Sequence, residues 1–95
     1  MIERHVTFDV LPEHEIDFER LFVAEYRPAM SSMPGFEKVE LLRDTEHPSR
    51  YQMVIRFDTP EHAANWRASE VHKAIQPRIK ALYSGSTLTV YDVVA

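Results

Sequence analysis

The chain has no cysteine, which excludes a disulfide framework, a thiol nucleophile and a thiolate metal site. It has only two glycines, Gly35 and Gly85. There is no phosphate-cradling P-loop, no G-x-S-x-G elbow and no G-x-G-x-x-G dinucleotide fingerprint. No apolar run approaches the ~20 residues of a membrane helix. The opening Met1-Ile2-Glu3-Arg4-His5 is not that of a secretory signal. A cytoplasmic protein with no membrane partner is expected. A basic block is also missing: eleven Lys+Arg stand against fifteen Asp+Glu, for a net charge of −4, which argues against a nucleic-acid partner.

What is present describes one folded domain over residues 1–95, with 44% hydrophobic and 27% charged residues. Such a length lies near the small end of what buries a core unaided, so association would help it.

From Ile2 to Val10 the chain alternates. Ile2, Arg4, Val6, Phe8 and Val10 share one face of a predicted strand, against Glu3, His5, Thr7 and Asp9. Arg4 is the exception on the apolar side. Either it escapes to water from an edge position, or it projects a cation into a pocket. A first helix begins near Pro12, and Phe18, Leu21, Phe22, Glu25 and Ala29 give its three/four spacing, which puts Glu25 in line with the core face. Pro28 disrupts its last turns, and Ser31 to Gly35 forms a breaker-rich exit, a candidate lid. A second strand covers Phe36 to Arg43, and a third covers Tyr51 to Phe57, with Tyr51, Met53, Ile55 and Phe57 in phase.

Thr59-Pro60 ends the third strand and starts a helix, with Thr59 suited to cap it and Pro60 to its first position. Ala64, Ala68, Val71, Ile75, Ile79 and Leu82 make one apolar stripe. The only tryptophan, Trp66, points roughly 160–200° away from that stripe on a straight helix. Either the helix bends, with Ser69 capping a new segment, or Trp66 packs against a loop or a second subunit. Ser84-Gly85-Ser86 is read as a turn into a last strand from Thr87 to Val94. The order is β-α-β-β-α-β, an α+β layout with helices on one face of the sheet. Both strand faces carry apolar residues, so the far face needs a cover, and a second copy of the chain is the natural one.

The run Asn65-Trp66-Arg67-Ala68-Ser69-Glu70-Val71-His72, after Thr59-Pro60-Glu61, resembles the Trp-x-x-Ser-[Asp/Glu] helix of the antibiotic biosynthesis monooxygenase family. Pro34-Gly35-Phe36 resembles the segment that leads into that family's second strand. The resemblance covers essentially the whole chain. It implies a ferredoxin-like antiparallel sheet, with two chains joined as a homodimeric α+β barrel. It also implies cofactor-independent oxygenation of a small quinol- or anthrone-type aromatic: a base removes a proton, and the resulting carbanion reduces dioxygen.

Five histidines, His5, His14, His47, His62 and His72, fall in separate elements without ligand-like spacing, so no metal site is expected. The expected pocket lies between helices and sheet. Its aromatic and apolar lining is Phe22, Tyr51, Met53 and Trp66, and its polar groups are Arg4, Glu25 and His72. Trp66 would shape the ring site or stabilise a radical pair, and His72 would move the proton. His72 has a plainer reading as a core-edge histidine with one backbone hydrogen bond. The haem-degrading branch of the family resembles this helix too, but places its iron-binding histidine ten residues after the tryptophan, where this chain has Gln76. Its first-strand asparagine aligns with Arg4. Both departures count against haem. Two other readings remain: a stress-associated or ligand-binding dimeric barrel without turnover, and a small isomerase using a His or Glu base.

Overall fold

The computed structural model describes residues 1–95. Four antiparallel strands form one sheet in the order β2-β3-β1-β4: β1 (Ile2–Val10), β2 (Phe36–Arg43), β3 (Arg50–Phe57) and β4 (Tyr83–Asp92). β1 is central. Its register sets Arg4 between Ile55 and Val90, Val6 between Met53 and Leu88, and Phe8 between Tyr51 and Ser86. Arg4 is therefore not at a sheet edge, which removes the reading in which it simply escapes to water.

The first helical segment is a single rod of mixed pitch. A 3-10 turn at Pro12–His14 leads into α1 (Glu15–Leu21), a π-helical turn (Phe22–Tyr26) and α2 (Arg27–Ser31). In the π turn the Arg27 N–H donates to the carbonyl of Phe22, five residues back. Pro28 follows with no N–H to offer, and its ring crowds the regular hydrogen-bond ladder. The wider turn advances the buried face by one residue. Phe18, Leu21, Phe22, Tyr26 and Met30 are buried, and the place that regular spacing gives Glu25 is taken by Tyr26.

The second helical segment breaks where a capping serine stands. Thr59 caps α3 (Pro60–Ala68), accepting from the His62 N–H at 3.1 Å. Ser69, in extended backbone, caps α4 (Glu70–Lys80), accepting from the His72 N–H at 3.2 Å. The break re-aims the helix, so one stripe does not run through both pieces. Ala63 and Trp66 are the buried residues of α3 and Ile75 and Ile79 those of α4, whereas Ala64, Ala68 and Val71 face out. Trp66, 2% exposed, anchors α3 on the core.

The core lies between sheet and helices. Phe8 meets Phe18 and Tyr83 edge-on at 5.2 and 5.0 Å between ring centroids, and Phe18 meets Tyr51 at 5.2 Å. Two boundaries differ from expectation. Ser84-Gly85-Ser86 is not a turn: it is paired strand, opposite Phe8 and Asp9, beside a register shift at Asp9/Val10. The exit Ser31 to Gly35 is tied down, with the Asp58 N–H donating to the Gly35 carbonyl at 2.9 Å and Gly35 at φ 79°. No helix is long and apolar enough to cross a membrane.

Candidate functional site

Between β1, β4 and the two helical segments lies a cavity of about 260 Å³, just under the ~300–1,000 Å³ usual for drug-sized ligands. Val6, Phe8 and Ile55 supply the sheet side, while Tyr26 and Trp66 supply the helix side. Leu88, 48% exposed, stands at the solvent rim. The polar side chains of the cavity, beside the aromatic ones, are Arg4, Arg67, His72, Gln76 and Ser86.

The break at Ser69 builds the centre of the site. Trp66 lies in the last turn of α3 and His72 in the first turn of α4, and their rings meet edge to face, 5.1 Å between centroids at 82°. Tyr26 completes the group, 5.4 Å from Trp66 at 83° and 6.3 Å from His72. No protein group bonds to the imidazole nitrogens of His72 or to the Arg4 guanidinium, whereas the Tyr26 hydroxyl is held by the Trp66 indole N–H. Both His72 and Arg4 line the cavity. The plainer reading of His72, a ring satisfied by a backbone group, does not hold.

The electrostatics follow from this arrangement. Burial lowers the pKa of His72 below its ordinary 6.5, and the cations Arg67 and Arg4 lower it further. The imidazole is thus neutral near pH 7 and free to accept a proton. Burial also lowers the Arg4 pKa, again reinforced by Arg67. Burial raises the Tyr26 phenol, partly offset by the Trp66 indole N–H and by Arg4.

Of the site residues expected from sequence, Arg4, Trp66 and His72 come together here. The others do not line the cavity. Glu25 lies at the surface in a two-pronged ion pair with Arg78, at 2.6 and 2.5 Å, because the π turn carries it off the core face. Phe22 sits in the core behind Tyr26, their rings 6.2 Å apart, and Met53 is fully buried in the core. Tyr51 is buried beside Phe18 and donates to Glu19 Oε2 at 2.5 Å, away from the cavity. Tyr26, Arg67 and Tyr83 are lining residues the sequence reading missed. A signal for Tyr26 does exist: Phe18, Phe22, Tyr26 and Met30 recur every four residues. No group of three or more His, Asp or Glu side chains is placed to hold a metal ion.

The sequence model of a family described as antibiotic biosynthesis monooxygenase matches residues 1–78. No curated protein matches the chain. Among solved structures, a Bordetella bronchiseptica protein named for that family is 25% identical, with a TM-score of 0.84, covering 99% of this chain and 97% of the other. One from Deinococcus radiodurans, named likewise, is 18% identical with a TM-score of 0.90, covering 100% of this chain and 94% of the other. A variant of SnoaB, a cofactor-independent oxygenase from Streptomyces nogalater, is 17% identical with a TM-score of 0.88, covering 97% of this chain and 91% of the other. The latter two likenesses are ones of fold.

Proposed function

The chain belongs to the antibiotic biosynthesis monooxygenase family, and from that premise we propose that it is a cofactor-independent monooxygenase for a small quinol- or anthrone-type aromatic. The observation that carries this reading is the unpartnered imidazole of His72, held against Trp66 and Tyr26 over an otherwise largely apolar cavity. In this reading the ring system lies in the cavity that Trp66, Val6 and Ile55 help to line. His72 takes the proton from the activated carbon, and the carbanion, delocalised over the ring oxygens, lies in the positive field of Arg4. Electron transfer to dioxygen and recombination give a hydroperoxide. Loss of water then leaves a carbonyl, so one oxygen atom enters the product, the other leaves as water, and no external reductant is consumed. SnoaB, described as a cofactor-independent oxygenase, shares the fold.

The reading includes a homodimer. The sheet face away from the helices has no cover within the chain, and Leu42 and Tyr91 stand there 46% and 48% exposed. Light scattering is expected to give twice the 11.1 kDa chain mass, and a monomer would remove the barrel from the proposal.

Oxygen consumption with a panel of anthrones and dihydroxynaphthalenes, metals chelated, tests the chemistry. Uptake above autoxidation that is lost in His72→Ala is the expected result. Product formed without oxygen uptake points to an isomerase, and tight ligand binding without product points to a binding barrel.

A further inference from the structure

The chain carries fifteen Asp and Glu against eleven Lys and Arg, yet none of the thirteen residues lining the cavity is acidic. Two are arginines and one is His72. Four of the six arginines outside the cavity find carboxylate: Arg43 with Glu19, Arg50 with Asp9, Arg56 with Glu3 and Arg78 with Glu25. Arg4 and Arg67 have no such partner. They are close enough for each to feel the other's charge, and Arg4 is half-buried in the middle of the sheet. A partly buried cation with no counter-ion is costly, and a second cation nearby, the exposed Arg67, adds to that cost. The positive field extends outside as well. His72 and Gln76 also line a shallow groove on α4 with Lys73 and Lys80, so the wall of the cavity is continuous with a basic surface.

We infer that the natural ligand is an aromatic carboxylate, its ring system against Trp66 and Tyr26 and its carboxylate between the guanidinium groups of Arg4 and Arg67. This rests on the proposed oxygenase reading and deepens it, because the carboxylate offsets one of the two guanidinium charges. Proton transfer to His72 leaves the net charge of the site unchanged, setting the carbanion against the imidazolium and the other guanidinium. A neutral quinol leaves both guanidinium charges uncompensated in the ground state. Arginine suits this task, since its planar fork meets both carboxylate oxygens. The anion also offsets the two cations that depress His72, so the bound state holds a stronger base than the empty one.

The test is calorimetric titration with 2-naphthoate and with 2-naphthamide, which share ring and shape and differ in charge. The naphthoate is expected to bind at least about tenfold tighter, with an advantage that shrinks as salt is raised. That advantage is lost in Arg4→Met and in Arg67→Met but kept in Arg20→Met, a surface arginine outside the cavity. Binding of the naphthoate near pH 6.5 is expected to take up protons, read from the dependence of the heat on buffer. Arg67 is exposed, so its variant carries the test if Arg4→Met fails to fold. Equal binding of acid and amide, no binding of either at millimolar concentration, or a preference indifferent to both arginine variants overturns the inference. The oxygenase reading is judged separately: neutral quinols turned over at a His72-dependent rate, with no preference for the acid, would leave that reading standing and remove this one.

Discussion

Trp66 and His72 belong to different helices, yet their rings stand edge to face at 5.1 Å because Ser69 interrupts the helix between them. The Ser69 hydroxyl both donates to the Trp66 carbonyl at 2.7 Å and accepts from the His72 N–H at 3.2 Å. One side chain thus closes the end of α3 and opens α4. Replacing it by alanine removes the cap of α4, at about 1 kcal/mol. For Ser69→Ala, thermal melts are expected to show that loss, and turnover should fall more than stability does, because the angle between the two rings is no longer fixed. A variant with full activity and an unchanged melting temperature would show that the α3–α4 break is held by packing alone.

The state of His72 sets a pH dependence with a definite sign. The groups facing it are Arg4 on β1, Tyr26 on the π turn and Trp66 and Arg67 on α3; Lys73 adjoins it on α4. Burial first, then Arg67 and Arg4, hold its pKa below 6.5. The folded chain thus binds fewer protons than the unfolded chain in the window just below pH 6.5. Stability from this group is complete above 6.5 and is lost as pH falls through the folded value. For kcat/KM with a neutral quinol, the ascending limb is expected to have its midpoint below 6.5 and to move upward in Arg67→Met. A limb that stays put in that variant would detach the titration from His72.

Tyr51 gives the opposite sign on the alkaline side. Burial, with the hydrogen bond to Glu19, pushes its phenol from 10.0 up to about 12. A folded pKa above the unfolded one gives stability that is whole below pH 10 and lost as pH rises through about 12. Tyr51→Phe is expected to cost about 1 kcal/mol at neutral pH, the worth of one hydrogen bond. It should also flatten the fall in melting temperature at alkaline pH. Oxygen uptake is expected to be unaffected, since Tyr51 lies away from the cavity.

Most of the fold was legible because its signals are local. Period-two alternation marked β1 and β3, and Thr59-Pro60 and Ser69 marked the two helix starts. What failed depended on partners remote in sequence. Ser84-Gly85-Ser86 has turn composition, but pairing with β1 makes it strand. The π turn seats Tyr26 and Met30 in the same core as Phe18, and the four-residue recurrence that hints at it competes in the sequence with the three/four spacing that puts Glu25 inward. That single residue of phase moved Glu25 out of the expected site and left Tyr26 unnoticed. Arg4 could be placed on the apolar face of its strand, but only the sheet order shows that the strand is central.

The same phase shift yields a pair of opposed expectations for adjacent residues. Tyr26 is 6% exposed, packs on Trp66 and lines the cavity, whereas Glu25 is held by Arg78 at the surface. Tyr26→Phe keeps the ring that fills the core, so melting temperature should change little. It removes a hydroxyl that can meet a ring oxygen of the ligand, and loss of one such bond corresponds to about tenfold in affinity. Glu25→Gln weakens only a solvent-facing ion pair, and ligand affinity is expected to stay within about twofold. Titration of both variants with the same aromatic ligand decides the matter. If Glu25→Gln proved the weaker binder, a regular helix with Glu25 facing inward would be the correct frame, and Tyr26 would have no place in the site.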